Sequence, residues 1–329
     1  MVATTADTDR PSPAAQPQPL ERRPTEPEAV FIVGVGSSGT SLLRRLLETS
    51  ERIAIARENH YVGHHLTRHG ARFYFRHAGD LSDDANVRRL VDFIYDGEFQ
   101  RKMWWRNISN FWRWLIAEVP REEVGRYLLA GERSEGGVLA SFLRIHADRE
   151  GKAIIGEKTP AHLKHVDTLI SWFPDARVLH IIRDPRAVYV SDLSHRRKDR
   201  RKPYRWLMPI PFLLQSVVLV QTVFFWRSAV RLHQRYQRAH GTRYKLIRFE
   251  DLVTRQDETL DDVFAFVGTD RPADATDRMD MVKHGTRTVE QGIDPGAATR
   301  WRERIHPFAK RFLETFLGGY LRRLDYPSR

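Results

Sequence analysis

One stretch near the start of the chain constrains the fold most. A short apolar run at residues 29–33 leads directly into a loop of glycine and hydroxyl residues at 34–41. An apolar run of this length that is bounded by glycine is typical of a fully buried strand. Leucines then recur at helical spacing through residues 41–49. The order strand, small-residue loop, helix predicts a phosphate cradle, because loop amides and a helix N-terminus converge on an anion.

Strand-like and helix-like segments alternate along the rest of the chain. We predict further strands at residues 152–155, 177–182 and 243–249, and helices over residues 85–118, 121–149 and 160–172. Thr159 is expected to cap the last of these helices, and Pro160 takes its first position. Such alternation implies right-handed crossovers and a parallel sheet that is covered on both faces. The predicted fold class is α/β.

Composition sets the domain boundaries. Residues 1–28 are rich in proline and charge and cannot bury enough apolar area to offset chain entropy, so we predict a disordered tail. Hydrophobic residues make up 41% of the chain, which is enough for the core of one domain over residues 29–329. No apolar run precedes residue 29, so no secretory signal is visible and a cytoplasmic location is expected.

Charge and cysteine content exclude several function classes. The formal net charge of +12 favours polyanionic partners, which include nucleic acid, an anionic membrane and a phosphorylated nucleotide. The basic residues are scattered and no nucleic-acid reading motif occurs, so we expect no nucleic-acid binding. The chain has no cysteine, which excludes disulfides and thiolate chemistry. No cluster of metal ligands is evident, and we predict no metal.

The loop differs from that of nucleoside triphosphatases. Gly34 and Gly39 have the Walker A spacing, but Thr40 stands where the lysine that contacts the β- and γ-phosphates would be. This substitution argues against triphosphate chemistry, whereas a single 5′-phosphate needs no lysine there. The residues predicted to form the cradle are Gly36, Ser37, Ser38, Gly39, Thr40 and Ser41.

A second anion-binding residue follows the strand at 177–182. Arg183 comes at the carboxyl end of that strand, where parallel sheets bind ligands, and its guanidinium can hold a phosphate in bidentate fashion. Ser191 lies two turns into the following helix and can add a hydroxyl donor. The alternative is that Arg183 pairs with an acidic neighbour and Ser191 is a surface residue.

These landmarks resemble the motifs of sulfotransferases that use 3′-phosphoadenosine-5′-phosphosulfate (PAPS). Residues 38–43 are similar to the 5′-phosphosulfate loop, and Arg183 with Ser191 is similar to the 3′-phosphate motif. The segments at 156–160 and 248–252 resemble two further family motifs and occur in family order. The resemblance implies a single P-loop-like domain with large helical insertions for the acceptor. It also implies sulfuryl transfer from PAPS to a hydroxyl or amine of a carbohydrate, lipid or other small molecule.

The resemblance also implies catalytic roles. Glu58 has the same offset from the loop as a glutamate of tyrosylprotein sulfotransferases and some bacterial relatives, so we predict that it is the general base. His60 is the reserve candidate, because other branches of the family use histidine. Lys158 is predicted to lie near the sulfonate. In the C-terminal region, Arg287, Arg300 and Trp301 resemble the segment that closes over the nucleotide, although an Arg-Trp pair could equally be helix surface.

One position departs from the family pattern. Most members carry lysine or arginine just before Ser-Gly-Thr, and this chain has Ser37. Loss of a positioned cation can cost roughly 3 kcal/mol of transition-state stabilisation. Lys158, Arg44 or a C-terminal arginine is the expected replacement. The alternative function is a nucleotide-binding protein with weak or no turnover.

The remaining segments are assigned to the acceptor side. Trp104, Trp105, Trp112 and Trp114 are interpreted as helical core in preference to an acceptor pocket. Residues 206–226 carry no charge over 21 positions, which matches the length of a bilayer span, but prolines, polar residues and the mid-domain location favour a buried or interfacial helix. Basic residues flank it, so we predict that residues 204–230 make a peripheral membrane contact.

Overall fold

The centre of the molecule is a four-stranded parallel sheet in the order β2-β1-β3-β4. The computed structural model of the protein describes residues 20–64, 69–103, 109–198, 211–277, 280–282 and 289–327. The strands of the sheet are β1 (Ala29–Gly34), β2 (Ile155–Lys158), β3 (Arg177–Ile182) and β4 (Tyr244–Arg248). A separate antiparallel pair consists of β5 (Asp280–Val282) and β6 (Val289–Gln291). The predicted α/β class with a parallel sheet is therefore confirmed.

Helices surround this sheet and fill its crossovers. In chain order they are α1 (Thr40–Glu48), α2 (Ala71–Phe75), α3 (Asp84–Tyr95), α4 (Glu98–Met103), α5 (Asn110–Glu118), α6 (Arg121–Ala130), α7 (Glu135–Arg149), α8 (Val166–Trp172), α9 (Pro185–Lys198), α10 (Pro211–His240), α11 (Phe249–Thr254), α12 (Gln256–Phe266) and α13 (Pro307–Arg323). Short 3₁₀ segments lie at Arg76–Ala78, Pro160–His165, Pro295–Ala298 and Arg300–Glu303. The two long helical stretches predicted at 85–118 and 121–149 are therefore each divided into shorter helices.

The sheet is buried on both faces, as its apolar strands predict. Phe31 and Val33 of β1 point into the core that helices α3 to α8 form. Val30 and Ile32, which alternate with them, point into the core beneath α1, α11 and α12. Trp112 lies in the first of these cores and is fully buried, so the prediction that it belongs to the helical core is confirmed. Trp104 and Trp105 lie outside the described residues.

A segment before α2 extends the sheet beside β2. Ile53 and Ala56 form parallel bridges with Ile154 and Glu157. The Ala56 amide donates to the Gly156 carbonyl at 2.8 Å, and the Lys158 amide donates to the Ala56 carbonyl at 2.9 Å. The chain after this segment therefore leaves the sheet at the same edge as the end of β2.

Two predicted boundaries differ from the structure. Strand β2 begins at Ile155, three residues later than the apolar run at 152–155 indicates, and it continues through Glu157 and Lys158, which are buried. Hydropathy misplaced this strand because its final residues are polar but enclosed. Residues 20–28, assigned to the tail, include Glu26, which is buried and paired with Arg52 at 2.6 Å. The tail composition gave no sign of that pair, because it joins residues distant in sequence.

Candidate active site

The carboxyl ends of the parallel strands meet at one edge of the sheet, and the predicted site residues gather there. Gly34 ends β1, and Lys158 ends β2 opposite Ile32. Arg183 directly follows β3, and Phe249 directly follows β4. Ligands of α/β sheets bind outside this edge, so the register alone brings the four segments to one site.

The loop between β1 and α1 has several features that suit an anion site. Gly39 caps α1 with a φ of 98°, and a Cβ there would collide with the ring of Phe249, so only glycine fits. Gly36 is exposed, with open space around it, and α1 has no acidic residue in its first turn. The Ser38 hydroxyl is buried and has no hydrogen-bond partner among the described residues. A buried hydroxyl without a partner is costly, and an anion held in the loop would supply one.

The two remaining hydroxyl residues of the cradle belong to the first turn of α1. Thr40 is buried, whereas Ser41 is exposed to solvent. Amides in the first turn of a helix have no partner inside the helix, and they point out of its N-terminus. The loop therefore offers amide and hydroxyl donors on the side that faces solvent.

The Arg183 guanidinium lies against this loop. Its Nη1 donates to the Ser37 carbonyl at 3.3 Å, and its Nη2 donates to the Ala297 carbonyl at 2.8 Å. Its Cζ stacks over the Phe249 ring at 4.1 Å from the centroid. The predicted halves of the cradle therefore adjoin one another. Ser37 itself has a φ of 63°, in the left-handed region that residues other than glycine rarely adopt.

The environment of Arg183 favours an anionic ligand. Burial lowers the pKa of the guanidinium, while the charges of Glu250 and Asp184 act to raise it. Arginine remains charged at neutral pH all the same. Within the described part of the chain Arg183 forms no ion pair, and its buried Nε has no partner. The alternative that Arg183 simply pairs with an acidic neighbour is therefore not what the structure has, and a phosphate would complete its bonding.

Residues distant in sequence fix the backbone around Arg183. The Trp226 indole Nε1 of α10 donates to the Arg183 carbonyl at 2.8 Å. The Asp184 amide donates to a carboxylate oxygen of Glu250 at 2.9 Å, and the Tyr326 hydroxyl donates to the other oxygen at the same distance. Local sequence patterns gave no sign of these contacts, because each partner lies far along the chain. They show that the 248–252 segment supports the backbone next to Arg183.

The other predicted nucleotide contacts have different surroundings in the structure. Ser191 lies on α9, and its hydroxyl is 3.5 Å from Nδ1 of His195 on the same helix. Arg300 forms an ion pair with Asp294, and its charge lowers the pKa of Arg183, so it lies in the same neighbourhood. Arg287 lies outside the described residues.

Trp301 does not offer a free ring to a base. It is buried, and the Arg186 guanidinium stacks on it with Cζ 4.4 Å from the ring centroid. Arg186 in turn bonds Asp184 and pairs with Glu314 of α13 at 2.8 Å. The predicted contact of Trp301 with the nucleotide is therefore corrected: the ring packs beneath the segment that follows Arg183. Arg44 likewise pairs with Glu48 and the Ile55 carbonyl, away from the loop.

The second cluster at this edge joins Glu58, Lys158 and His60. The Lys158 ammonium is 2.5 Å from Oε1 of Glu58, and Nε2 of His60 is 3.5 Å from Oε2 of the same carboxylate. The segment 53–56 beside β2 produces this arrangement, because it delivers Glu58 to the end of the strand that carries Lys158. The predicted base, reserve base and cation thus form one cluster.

The charge state of Glu58 follows from its neighbours. Burial alone would raise the pKa of this carboxyl group. The hydrogen bond from His60 and the charge of Lys158 outweigh that effect and lower the pKa from 4.5 to about 2. Such a carboxylate accepts protons poorly, so the ion pair keeps Glu58 weakly basic while Lys158 stays in place.

A buried polar network underlies this cluster, and sequence patterns did not reveal it. Glu157, Thr159 and His162 are all fully buried. The Thr159 hydroxyl lies 3.2 Å from a Glu157 carboxylate oxygen, and His162 Nδ1 contacts the other oxygen. The structure thus corrects the predicted helix cap, because the Thr159 hydroxyl bonds to Glu157 and makes no capping bond to the segment Pro160–His165.

The same network holds the backbone of the Glu58 loop. The Asn59 amide donates to the Thr159 hydroxyl at 3.2 Å, and the Val62 amide donates to His162 Nε2 at 3.1 Å. The Trp112 indole donates to the Asn59 carbonyl at 2.7 Å. Since Val62 donates to Nε2, the His162 proton sits on Nδ1, toward Glu157. These hydrogen bonds therefore hold the stretch of chain that follows Glu58 in place.

Two other features of the described residues lie apart from this edge. A cavity of about 420 Å³ opens near the beginning of β2, and its lining includes Glu28, Arg144 and Trp172 but none of the cradle residues. No group of three or more histidine, aspartate or glutamate side chains in the described ranges is placed to hold a metal ion.

Several solved sulfotransferase structures are similar to this chain. The sulfotransferase domain from the curacin biosynthetic pathway is 16% identical, with 92% of this chain and 98% of that chain covered and a TM-score of 0.52, which shows a shared fold. The sulfotransferase domain from the Synechococcus PCC 7002 olefin synthase is 18% identical, with 94% and 98% covered and a TM-score of 0.48. A sulfotransferase from Alicyclobacillus acidocaldarius is 19% identical, with 91% and 94% covered and a TM-score of 0.46.

Family membership rests on the sequence. A search of curated proteins gives no significant match. The model of the sulfotransferase family, in contrast, matches residues 27–273, which is most of the chain and includes β1 to β4, the loop, Glu58, Lys158 and Arg183. This chain therefore belongs to the sulfotransferase family, whose members are transferases.

Proposed function

We propose that this protein transfers a sulfuryl group from PAPS to a hydroxyl or amine of a carbohydrate, lipid or other small molecule. The observation that carries the proposal is the contact between Arg183 and the loop at Ser37. It joins two anion-binding groups, each with a buried donor that has no partner among the described residues. A nucleotide with phosphates at its 3′ and 5′ positions matches such a pair.

The residues of the cradle divide between the two ends of that nucleotide. The loop amides, with Ser38, Thr40 and Ser41, would hold the 5′-phosphosulfate, since they line the N-terminus of α1. Arg183 would hold the 3′-phosphate with the help of Ser191. In the free protein Arg183 donates to the neutral carbonyls of Ser37 and Ala297. A charged phosphate would accept stronger hydrogen bonds from the same guanidinium.

The transfer step needs a base and a cation, and the second cluster supplies both. Glu58 takes the proton of the acceptor hydroxyl or amine while the acceptor atom forms its bond to sulfur. The bond between sulfur and the bridging phosphate oxygen breaks, and Lys158 neutralises the charge that develops on that oxygen. His60 stays within 3.5 Å of Glu58 and keeps its carboxylate oriented.

The ion pair between Glu58 and Lys158 sets a resting state. With Lys158 bonded to it, Glu58 has a pKa of about 2 and is a weak base. When Lys158 turns toward the phosphosulfate, the burial of Glu58 acts against less opposition and its pKa rises. The base thus gains strength only when the donor is in place.

A second candidate is a nucleotide-binding protein with weak or no turnover. The position of Ser37 favours it, since the loop lacks the cation that the family resemblance leads one to expect, and Arg44 is bonded to Glu48 instead. Binding and transfer therefore have to be measured separately.

The test combines calorimetric binding of 3′-phosphoadenosine-5′-phosphate with transfer of labelled sulfuryl from PAPS to a panel of alcohols, phenols and amines. We expect binding that Arg183→Ala weakens about 100-fold, because a charge-assisted phosphate contact is lost. Arg243→Ala, which removes a half-buried arginine bonded to the Pro174 carbonyl, is the matched control. Binding without transfer to any acceptor supports the second candidate, and unchanged binding by Arg183→Ala overturns the assignment of the cradle.

A further inference from the structure

Two neighbouring helices carry the most exposed apolar side chains in the described part of the molecule. Phe212 and Phe224 of α10 are each 75% exposed, Phe308 and Phe316 of α13 are 63% and 56% exposed, and Val220 is 53% exposed. Other large apolar residues on the described surface are less exposed than these. Soluble surfaces rarely group large apolar side chains in this way without a partner. We call these five residues the apolar face.

The exposed residues belong to two helices that pack against each other. On α13 the rings of Phe308, Phe312 and Phe316 follow one another, with centroids 6.2 Å and 4.5 Å apart. Arg227 Nε of α10 lies 3.0 Å from the Tyr320 hydroxyl of α13. Tyr320 is one turn beyond Phe316, and Arg227 is nearly one turn beyond Phe224. This bond therefore joins the two helices within one turn of Phe316 and Phe224.

Polar groups within the apolar face are satisfied inside their own helices. Ser216, one turn after Phe212, donates its hydroxyl hydrogen bond to the Phe212 carbonyl at 3.0 Å. Thr315, beside Phe316, donates to the Arg311 carbonyl at 2.8 Å. Both hydroxyl groups already donate a hydrogen bond within their own helix. Removing the apolar face from water therefore costs less desolvation free energy than its composition suggests.

The charges around the apolar face are almost all positive. Helix α10 contains no acidic residue, and the one acidic residue of α13, Glu314, pairs with the buried Arg186. The cations of the two helices are Arg227, Arg231, Arg235, Arg238, Lys310, Arg311, Arg322 and Arg323, of which Arg235 pairs with Asp167 and Lys310 lies 3.9 Å from Glu314. Arg227 and Arg323 stack on the ring of Tyr320 at the end of the face. Exposed phenylalanines beside arginines fit an anionic lipid surface, in which rings enter the acyl boundary and cations meet headgroups.

The structure argues against two other roles for helix α10, as a membrane-spanning helix and as a dimer interface. By length and composition, the helix at Phe212–His240 could span a membrane. However, 39% of its most apolar 18-residue stretch is buried against the rest of the protein. Trp226 is fully buried and bonds the Arg183 carbonyl, so the helix is part of the fold and cannot leave it. Pairing with a second copy across a two-fold axis would bring the same excess of arginines face to face, which costs free energy.

We propose that the apolar face docks this protein on an anionic membrane surface. The opposite sides of the same helices reach the predicted nucleotide site, through Trp226 to Arg183 and through Glu314 to Arg186. Docking thus places that edge of the sheet at a fixed orientation beside the lipid. The inference does not depend on the proposed function, because it rests on exposure and charge alone.

Sedimentation with vesicles tests the proposal. The full chain is mixed with vesicles of phosphatidylcholine alone, or of phosphatidylcholine and phosphatidylglycerol in equal parts. We expect binding only to the second kind, and weaker binding as salt is added. Phe224→Ser with Phe316→Ser should weaken it at least tenfold, because both rings leave the acyl boundary. Arg227→Glu with Arg231→Glu should weaken it by a similar factor.

Phe73→Ser is the matched control, since Phe73 is 38% exposed and lies on α2. It should leave vesicle binding unchanged, and circular dichroism melts should show that every variant is folded. Equal binding to both kinds of vesicle, or full binding by the Phe224 and Phe316 double variant, overturns the proposal. So does failure to bind vesicles combined with a dimer in sedimentation velocity that the same double variant abolishes, which would assign the face to a second copy.

Discussion

Lys158 and Glu58 stand 100 positions apart in the chain, yet the Lys158 ammonium lies 2.5 Å from the Glu58 carboxylate. The pair lowers the pKa of Glu58 to about 2. Because the pKa of the folded state is depressed, the pair stabilises the free protein above about pH 4.5, and this contribution is lost as the pH falls toward 2. Glu58 is 38% exposed, so solvent screening makes the contribution modest.

Replacing the cation of this pair should make Glu58 easier to protonate. We expect Lys158→Met to raise the pKa of Glu58, because burial then acts without the opposing charge. Carboxyl-carbon NMR titration of the free protein measures it directly. Lys152→Met, which removes a lysine bonded to the Glu48 carbonyl, is the control. A Glu58 pKa that stays near 2 in Lys158→Met would mean that His60 alone sets the charge state.

The carboxylate itself should be needed for transfer and not for binding. Glu58→Gln is expected to retain affinity for 3′-phosphoadenosine-5′-phosphate and to lower kcat by about 10² to 10⁴, the usual contribution of a general base. Glu123→Gln provides a matched change, since Glu123 also forms an ion pair, with Arg149 at 2.6 Å. Retention of full activity by Glu58→Gln would leave His60 as the base.

The loop position that lacks a cation offers a gain-of-function test. Ser37→Arg should raise the rate of sulfuryl transfer at least tenfold, because a positioned cation at this point stabilises the transition state by an amount of order 3 kcal/mol. The left-handed φ of 63° at Ser37 is a small cost that serine already bears. Single-turnover kinetics with PAPS give the rate. An unchanged rate would show that Lys158 already supplies all the charge the step can use.

The network beneath the Glu58 loop should affect turnover through position. Thr159→Val removes the hydroxyl between Glu157 and the Asn59 amide, and leaves both with an unmade hydrogen bond. We expect it to destabilise the fold by about 1–3 kcal/mol and to lower kcat while nucleotide affinity stays the same. Thr159→Ser, which keeps the hydroxyl, should restore kcat. If serine restores stability alone, the network is structural.

A buried histidine makes the fold sensitive to acid. Burial, with a smaller effect from His233, lowers the pKa of His180 to about 3. The unfolded chain binds that proton below about pH 6.5, so stability is full above that pH and falls as the pH drops from there toward 3. Urea unfolding across this window should show a slope about 1.4 kcal/mol per pH unit smaller in His180→Leu. An unchanged slope would mean that other groups dominate.

Sequence patterns predicted those parts of the site that consecutive residues form. The loop at 34–41 was recognisable because strand, glycines and helix follow one another, and Arg183 because it ends an apolar strand. Glu58 was recognisable from its offset from the loop, and in the structure the segment beside β2 brings it to the site. The fold class followed from the alternation of apolar segments in the same way.

The partners of buried side chains were not recognisable. Thr159 matched the pattern of a helix cap, but its hydroxyl bonds Glu157, because a buried carboxylate competes more strongly than the helix terminus. Trp301 matched the pattern of a base-stacking ring, but the Arg186 guanidinium occupies it. In each case the side chain is buried and bound to a partner that the sequence pattern did not indicate.

The backbone pairing of segment 53–56 with β2 has a consequence for how such a protein can diversify. Helices α2 to α7 all lie in the chain between these two paired lines, segment 53–56 and β2. We assign these helices to the acceptor side. Their length and sequence can change while the two lines remain one strand spacing apart. The proposed acceptor pocket can therefore vary while the backbone bonds keep the ends of the two lines, which lead to Glu58 and Lys158, at one spacing.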